Sequence, residues 1–174
     1  MEKIRLLKPF AKHSHPHERC VANALATAEA TCEHRGQRLT RLRRRVLELV
    51  WASHAPVKAY DLLDQLRKEH PGSAPPTVYR ALEFLMEQGL VHRIESLNAY
   101  VGCGDPEAQH IGQFLICCKC GCVAEIEDED IGRILVAKAK ELGFHVDTQT
   151  IEINGLCAEC QEAMTAIHPD HEPI

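Results

Sequence analysis

Four cysteines arranged as two Cys-x-x-Cys pairs, Cys117/Cys120 and Cys157/Cys160, carry the sharpest chemical signal in this sequence. A short turn between two thiols sets both sulfurs within reach of a common centre, and two such turns complete a tetrahedral four-thiolate zinc site. A redox-active pair is the rival reading for either pair alone, and the presence of two pairs disfavours it. The pairs are separated by residues 121–156, too long a gap for a simple zinc ribbon, so whatever lies between them must be looped out and stapled. Cys118 must point away from its neighbour Cys117, because successive side chains on a strand face opposite ways. It is expected, with Cys122, Cys20 and Cys32, to act as a small buried apolar residue. A second set is His92, Cys103, His110 and Glu125. Each has an ordinary explanation on its own. Together they supply one sulfur, two nitrogens and one oxygen, a set that zinc accepts and whose thiolate disfavours harder ions. The remaining clustered histidines, His13, His15, His17, His168 and His171, fall in the polar ends and suggest adventitious metal affinity.

A third chemistry is electrostatic. The net charge of -5 hides two unlike halves: residues 1–93 hold 16 Lys/Arg against 10 Asp/Glu, whereas residues 94–174 hold 4 against 15. Only the first half is suited to a polyanion. Its excess is concentrated at Arg35, Arg38, Arg41, Arg43, Arg44 and Arg45. These residues form either a solvated helix face or a source of phosphate attraction, Arg43 and Arg44 included. A zinc hydrolase would need an open metal and a general base, and no HExxH or comparable pair is present. An oxidative thiol sensor stays open on the nine cysteines. No apolar run could span a membrane and no signal-peptide core follows Met1, so a cytoplasmic protein is expected, and its cysteines read as metal ligands rather than disulfides.

The elements that must position these groups fall in two parts. Residues 1–17 read as a loose arm. Helical spacing is seen over residues 18–34, ended by Gly36, then after a Thr40 N-cap, then from just beyond Val57 to the Pro71-Gly72 stop. A fourth helix is marked by Ser73 as a cap, Pro75 and Pro76 in its first turn and Gly89 beyond its end. Two short strands, 90–95 and 99–101, surround a turn at Ser96-Leu97-Asn98. Helices followed by a small hairpin make a winged helix, whose last helix enters the major groove. Gly102–Gly112 reads as a hinge. Beyond it come strands at 113–118 and 122–126, a helix over 128–142 with an apolar stripe at Ile131, Ile134, Leu135 and Leu142, and a strand over 144–153. The fold class is α+β, with a DNA-binding domain at 18–102, a hinge at 103–112 and a second domain at 113–174. The His92, Cys103, His110 and Glu125 set surrounds the junction of the two domains, so a metal held there would lock one against the other.

With these residues in view, the chain resembles the ferric uptake regulator family and, within it, the zinc uptake regulators. The resemblance runs from about Thr27 to Cys160. It is most specific in Ala59-Tyr-Asp-Leu-Leu-Asp-Gln-Leu-Arg67 and Pro75-Pro-Thr-Val-Tyr-Arg-Ala-Leu82, then in the paired knuckles and the His92/Cys103/His110/Glu125 set. It implies structural zinc at Cys117, Cys120, Cys157 and Cys160, and a regulatory zinc at His92, Cys103, His110 and Glu125, making two Zn2+ per subunit. It also implies DNA contacts from Tyr60, Thr77, Tyr79 and Arg80, and a homodimer that binds double-stranded operator DNA when zinc-loaded and represses zinc-uptake genes, with no catalytic activity. Arg80 is expected to read a guanine edge, because a guanidinium can bond O6 and N7 together. The sequence departs from the family at Leu39-Thr-Arg-Leu-Arg43, where many members read Leu-Thr-Pro-Gln-Arg. It departs again at His110-Ile-Gly-Gln, where iron and peroxide sensors carry His-His-Asp-His. The second departure, with Cys103 as a thiolate, favours zinc over the iron, manganese and peroxide branches.

Overall fold

A computed structural model describes residues 4–10, 17–53, 55–108 and 110–165. Its elements, in order, are β1 (Arg5–Lys8), α1 (His17–His34), α2 (Arg41–Trp51), α3 (Ala59–Glu69), α4 (Pro75–Glu87), β2 (Val91–Ile94), β3 (Ala99–Gly102), β4 (Gly112–Cys117), β5 (Val123–Glu127), α5 (Glu129–Glu141), β6 (Thr150–Gly155) and α6 (Ala158–Thr165). This is the α+β order expected.

The first four helices pack around Leu47, Leu62, Leu66, Val78, Leu82 and Leu85, all nearly inaccessible. Their ends follow local chemistry. Thr40 caps α2 by accepting from the Arg43 amide, so the helix starts cleanly at Arg41 although the proline common at this point is missing. The Ser73 cap expected for α4 is not formed. Ala74 holds the N-cap position without a side-chain bond. The reason is that Pro75 and Pro76 have no N–H, so fewer donors of the first turn need a partner. At its other end Gly89 takes φ +66°, and the amides of Gly89 and Leu90 return to the carbonyls of Met86 and Leu85 at 2.9 and 2.8 Å. That turn feeds the chain directly into β2.

β2 and β3 form the antiparallel hairpin, with Asn98 at φ 46° in its turn. Both faces of the hairpin are used. Val91 and Tyr100 join the helical core, and Tyr100 also exchanges both backbone bonds with Val57. Ile94 and Val101 point the other way and form a second core with Phe114, Ile116 and Val123. The hairpin is therefore sandwiched between the helices and the C-terminal sheet.

That sheet has the order β1-β5-β4-β6, antiparallel except for the parallel β4/β6 pair. Two sequence expectations fail here, and one element was not foreseen. Residues 5–8, read as part of a loose arm, are an edge strand paired with β5. Residues 144–149 are not strand, and β6 begins only at Thr150. A further helix, α6, follows the second knuckle. The apolar stripe of α5 also stays uncovered: Ile134, Leu135 and Leu142 are exposed, and so is Phe144 beyond Gly143. His13, His15, His168 and His171 lie outside the described residues, and His17 opens α1. No helix is long and apolar enough to cross a membrane among the described residues.

Candidate metal centres and nucleic-acid face

The two knuckles meet. Cys117 ends β4, Cys120 lies in the β4–β5 turn, and Cys157 and Cys160 bracket the start of α6. The turn is closed by the Gly121 amide on the Cys117 carbonyl, with Gly121 at φ +74°. The four sulfurs all lie within 4.8 Å of one another, and Cys120 Sγ to Cys157 Sγ is 3.8 Å. Tetrahedral Zn–S bonds place two sulfurs about 3.8 Å apart, so the donors fit that ion. Their protons argue the same way. Burial raises the Cys117 thiol, but the amides of Cys120, Cys157 and Lys119 outweigh it and bring it to about 6. Burial and the neighbouring Cys157, Cys117 and Cys120 push Cys160 up to about 12. A thiolate at Cys117 opposes ionisation of Cys157 and Cys160 unless a cation joins them. Cys122 and Cys32 are buried as expected. Cys20 is only half-buried, and Cys118 is exposed, lying just beyond the end of β4 where its amide donates to the Gly155 carbonyl.

The second set converges from four places: His92 on β2, Cys103 just after β3, His110 just before β4, and Glu125 on β5. Its donor atoms also lie within 4.8 Å of one another. Glu125 is 1% exposed, and each oxygen has its own task. One accepts the Gly104 amide at 2.7 Å; the other sits 2.8 Å from Nε2 of both His92 and His110. Cys103 Sγ is 3.6 Å from His110 Nε2 and 4.0 Å from the Glu125 oxygen. His110 Nδ1 lies 3.0 Å from the Ala108 carbonyl, a contact that fixes Nδ1–H as donor and leaves Nε2 for the centre. His92 packs edge-on against Phe114, with centroids 5.3 Å apart. Its Nε2 is buried and meets no partner at hydrogen-bonding angles. An orphaned buried nitrogen beside a thiol, a second imidazole and a carboxylate is what a metal site leaves when only its protein atoms are considered.

Without metal, the four groups shift one another's proton affinities, and the protons sit on the two imidazoles. Burial opposes a charged His92, yet Cys103 and Glu125 push its pKa up to about 9. Cys103 and Glu125 push His110 up to about 11. Burial alone would raise Glu125, but the two imidazoles bring it down to about 2. Burial likewise opposes ionisation of Cys103, and His110 and His92 hold it below the usual thiol value. Lys8, buried on β1 and in register with Glu125, lies 5.1 Å over the Trp51 ring and adds a cation that no sequence signal marks.

The nucleic-acid candidates are on α3 and α4. Tyr60 is 66% exposed and Tyr79 39% exposed, unusual for aromatic side chains in a folded domain. Arg80 is exposed and Thr77 half-buried. Arg80 makes no hydrogen bond or ion pair among the described residues. The arginine cluster is different. Arg43 stacks on Phe84 with its guanidinium 3.4 Å from the ring centroid and donates to the Arg38 carbonyl. Arg44 pairs with Glu29 and Glu48, and Arg45 with Glu48 and Glu69. Arg35 bonds the carbonyls of Gln88 and Pro106.

The family model described as the ferric uptake regulator family matches residues 34–154. The chain belongs to the ferric uptake regulator family. It is 44% identical over 147 residues to the zinc uptake regulation protein of Escherichia coli (strain K12), covering 84% of this chain and 86% of that protein. Identity is 30% over 129 residues to the zinc uptake regulation protein of Mycobacterium tuberculosis (strain ATCC 25618 / H37Rv), covering 72% and 96%. Among solved structures, a zinc uptake regulator in complex with zinc and DNA superposes with a TM-score of 0.79 at 43% identity, over 83% of this chain and 97% of that one. Members of this family are transcription regulators and not enzymes.

Proposed function

We propose that the protein is a zinc-responsive transcriptional repressor that binds operator DNA as a homodimer when zinc-loaded and represses zinc-uptake genes. The observation that carries this reading is the His92/Cys103/His110/Glu125 cluster, in which the hairpin next to α4 and the C-terminal sheet each contribute donors to one centre. Two zinc ions per subunit are proposed, a structural one at Cys117, Cys120, Cys157 and Cys160, and a regulatory one at the interdomain cluster. Zinc in the second site supplies a dication that replaces the protons on the two imidazoles and bonds the two halves of the molecule together. The thiolate, and the missing His-His-Asp-His run, set this site apart from iron, manganese and peroxide sensors.

The chain's own groups prepare that event. Gly104 holds one Glu125 oxygen and leaves the other for the centre, while Ala108 sets the His110 tautomer. On the DNA side, Tyr60, Thr77, Tyr79 and Arg80 form the proposed reading face, with Arg80 free to bond a base edge. Arg43 and Arg44 are proposed for backbone attraction. The ion pairs of Arg44 lie at the surface, where such pairs are worth at most about 1 kcal/mol and phosphates can compete for them. The exposed apolar side chains on α5 and β6, with Phe144 between them, are proposed to meet a second copy of the chain. Nine cysteines, none of them in a disulfide, support a cytoplasmic setting. The test is binding to a DNA duplex selected from a random pool: it should require zinc, and equal binding with and without zinc would refute the reading.

A further inference from the structure

The hairpin is gripped at two places, and only one of them is the metal cluster. In β4/β6, Phe114 is in parallel register with Glu152, and Phe114 is also opposite Glu125 in β4/β5. Glu125, Phe114 and Glu152 therefore share the face of the sheet on which the hairpin lies. Glu125 and Phe114 meet His92. Glu152 reaches the hairpin three residues further on. Its two carboxylate oxygens accept the backbone N–H groups of Glu95 at 2.7 Å and Ser96 at 3.2 Å, where the turn begins. A carboxylate accepting successive amides is a charge-assisted contact with little freedom to pivot. Ile94, packed between the two grips, is wholly buried.

We propose that Glu152 is a positioning residue for zinc-dependent DNA binding: a latch that holds the hairpin turn on the C-terminal sheet and so keeps His92 at the metal centre. The inference rests on the proposed regulatory role of the His92/Cys103/His110/Glu125 site. With the latch released, the hairpin can pivot about Ile94, and His92 spends less time within reach of Cys103, His110 and Glu125. Zinc then binds only the fraction of molecules that is closed, and its apparent affinity falls by that fraction. The DNA-binding helices move with the hairpin, and coupling between two ligands is reciprocal. Zinc affinity and duplex affinity must therefore fall together although Glu152 touches neither ligand.

The experiment compares wild type, Glu152→Ala, Glu152→Gln and Cys103→Ser in the full-length dimer. It measures zinc by competition with a chromophoric chelator and DNA by binding to a duplex selected from a random pool. Hydrogen exchange at the Glu95 and Ser96 amides is followed in the zinc-loaded protein. Glu152→Ala should weaken both affinities by about tenfold, the scale of a lost charge-assisted hydrogen bond. It should expose both amides to exchange while keeping the four-cysteine zinc. Glu152→Gln retains one acceptor oxygen and should fall between alanine and wild type, which keeps the test decisive if the alanine variant folds poorly. Wild-type zinc and duplex affinity in both Glu152 variants would overturn the latch, and so would the loss of one affinity without the other. Cys103→Ser reports separately: if it keeps the weaker zinc, the regulatory site itself is misassigned.

Discussion

At the scale of single residues, the proposed metal centre at His92, Cys103, His110 and Glu125 is an exchange between protons and metal. In the metal-free protein His92 and His110 are pushed up to about 9 and 11, and Glu125 down to about 2. The raised imidazoles stabilise the metal-free fold below their unfolded value of roughly 6.5, and that contribution is lost as pH rises through the folded values. The depressed carboxylate works the other way: its contribution is present above its unfolded value and is lost as pH falls towards 2. A zinc ligand must be a neutral imidazole, so binding at pH 7.5 should expel a proton from each histidine. Calorimetry in buffers of different ionisation enthalpy should give heats that vary with the buffer, and zinc affinity should climb between pH 6 and 9. A buffer-independent heat would place the metal elsewhere. The ligand types were legible in the sequence because few other chemistries use one thiol, two imidazoles and a carboxylate. Lys8 was not legible, because a lone lysine in a short polar stretch carries no sign of burial.

Among the elements, those specified by local chemistry were the ones the sequence disclosed. Pro75, Pro76 and Gly89 mark α4 because each imposes or requires a backbone angle, and Thr40 marks α2 by a local bond. β1 escaped because an edge strand of four residues gains its stability from β5, far away in sequence. Residues 144–149 alternate enough to suggest a strand, but β4 offers β6 partners only from Thr150 onward. The hairpin depends on glycine where it meets α2: a Cβ at Gly102 would lie 2.1 Å from the Trp51 ring. Gly102→Val should therefore cost about 1–3 kcal/mol of stability, as overpacking does, read from a urea transition; an unchanged midpoint would show that Trp51 yields freely. The knuckles join β4, β5 and α6, and structural-site binding energy is folding energy. Cys157→Ser should lose that zinc and unfold the C-terminal sheet, whereas a stable variant with full zinc content would remove the four-cysteine assignment.

Across the whole molecule, the charge asymmetry, the proposed reading face and the uncovered apolar side chains fall in different parts of the chain. The helical half carries the positive excess and the free Arg80, and the acidic half carries both the knuckles and the exposed Ile134, Leu142 and Phe144. Much of the arginine cluster proves to be tied down inside the chain, which composition could not disclose. Arg80→Ala should cost about 1–3 kcal/mol on the selected duplex and leave random DNA nearly unaffected; equal loss on both would show that α4 is not the reader. The central claim is that one zinc per subunit, held between hairpin and sheet, makes the protein competent for DNA. Native mass spectrometry across graded concentrations of a moderate chelator, with duplex binding followed on the same samples, tests it most directly. The dimer should pass from two zinc ions per subunit to one, and binding should disappear in step with that loss. Full binding by a dimer that carries a single zinc per subunit would contradict the account.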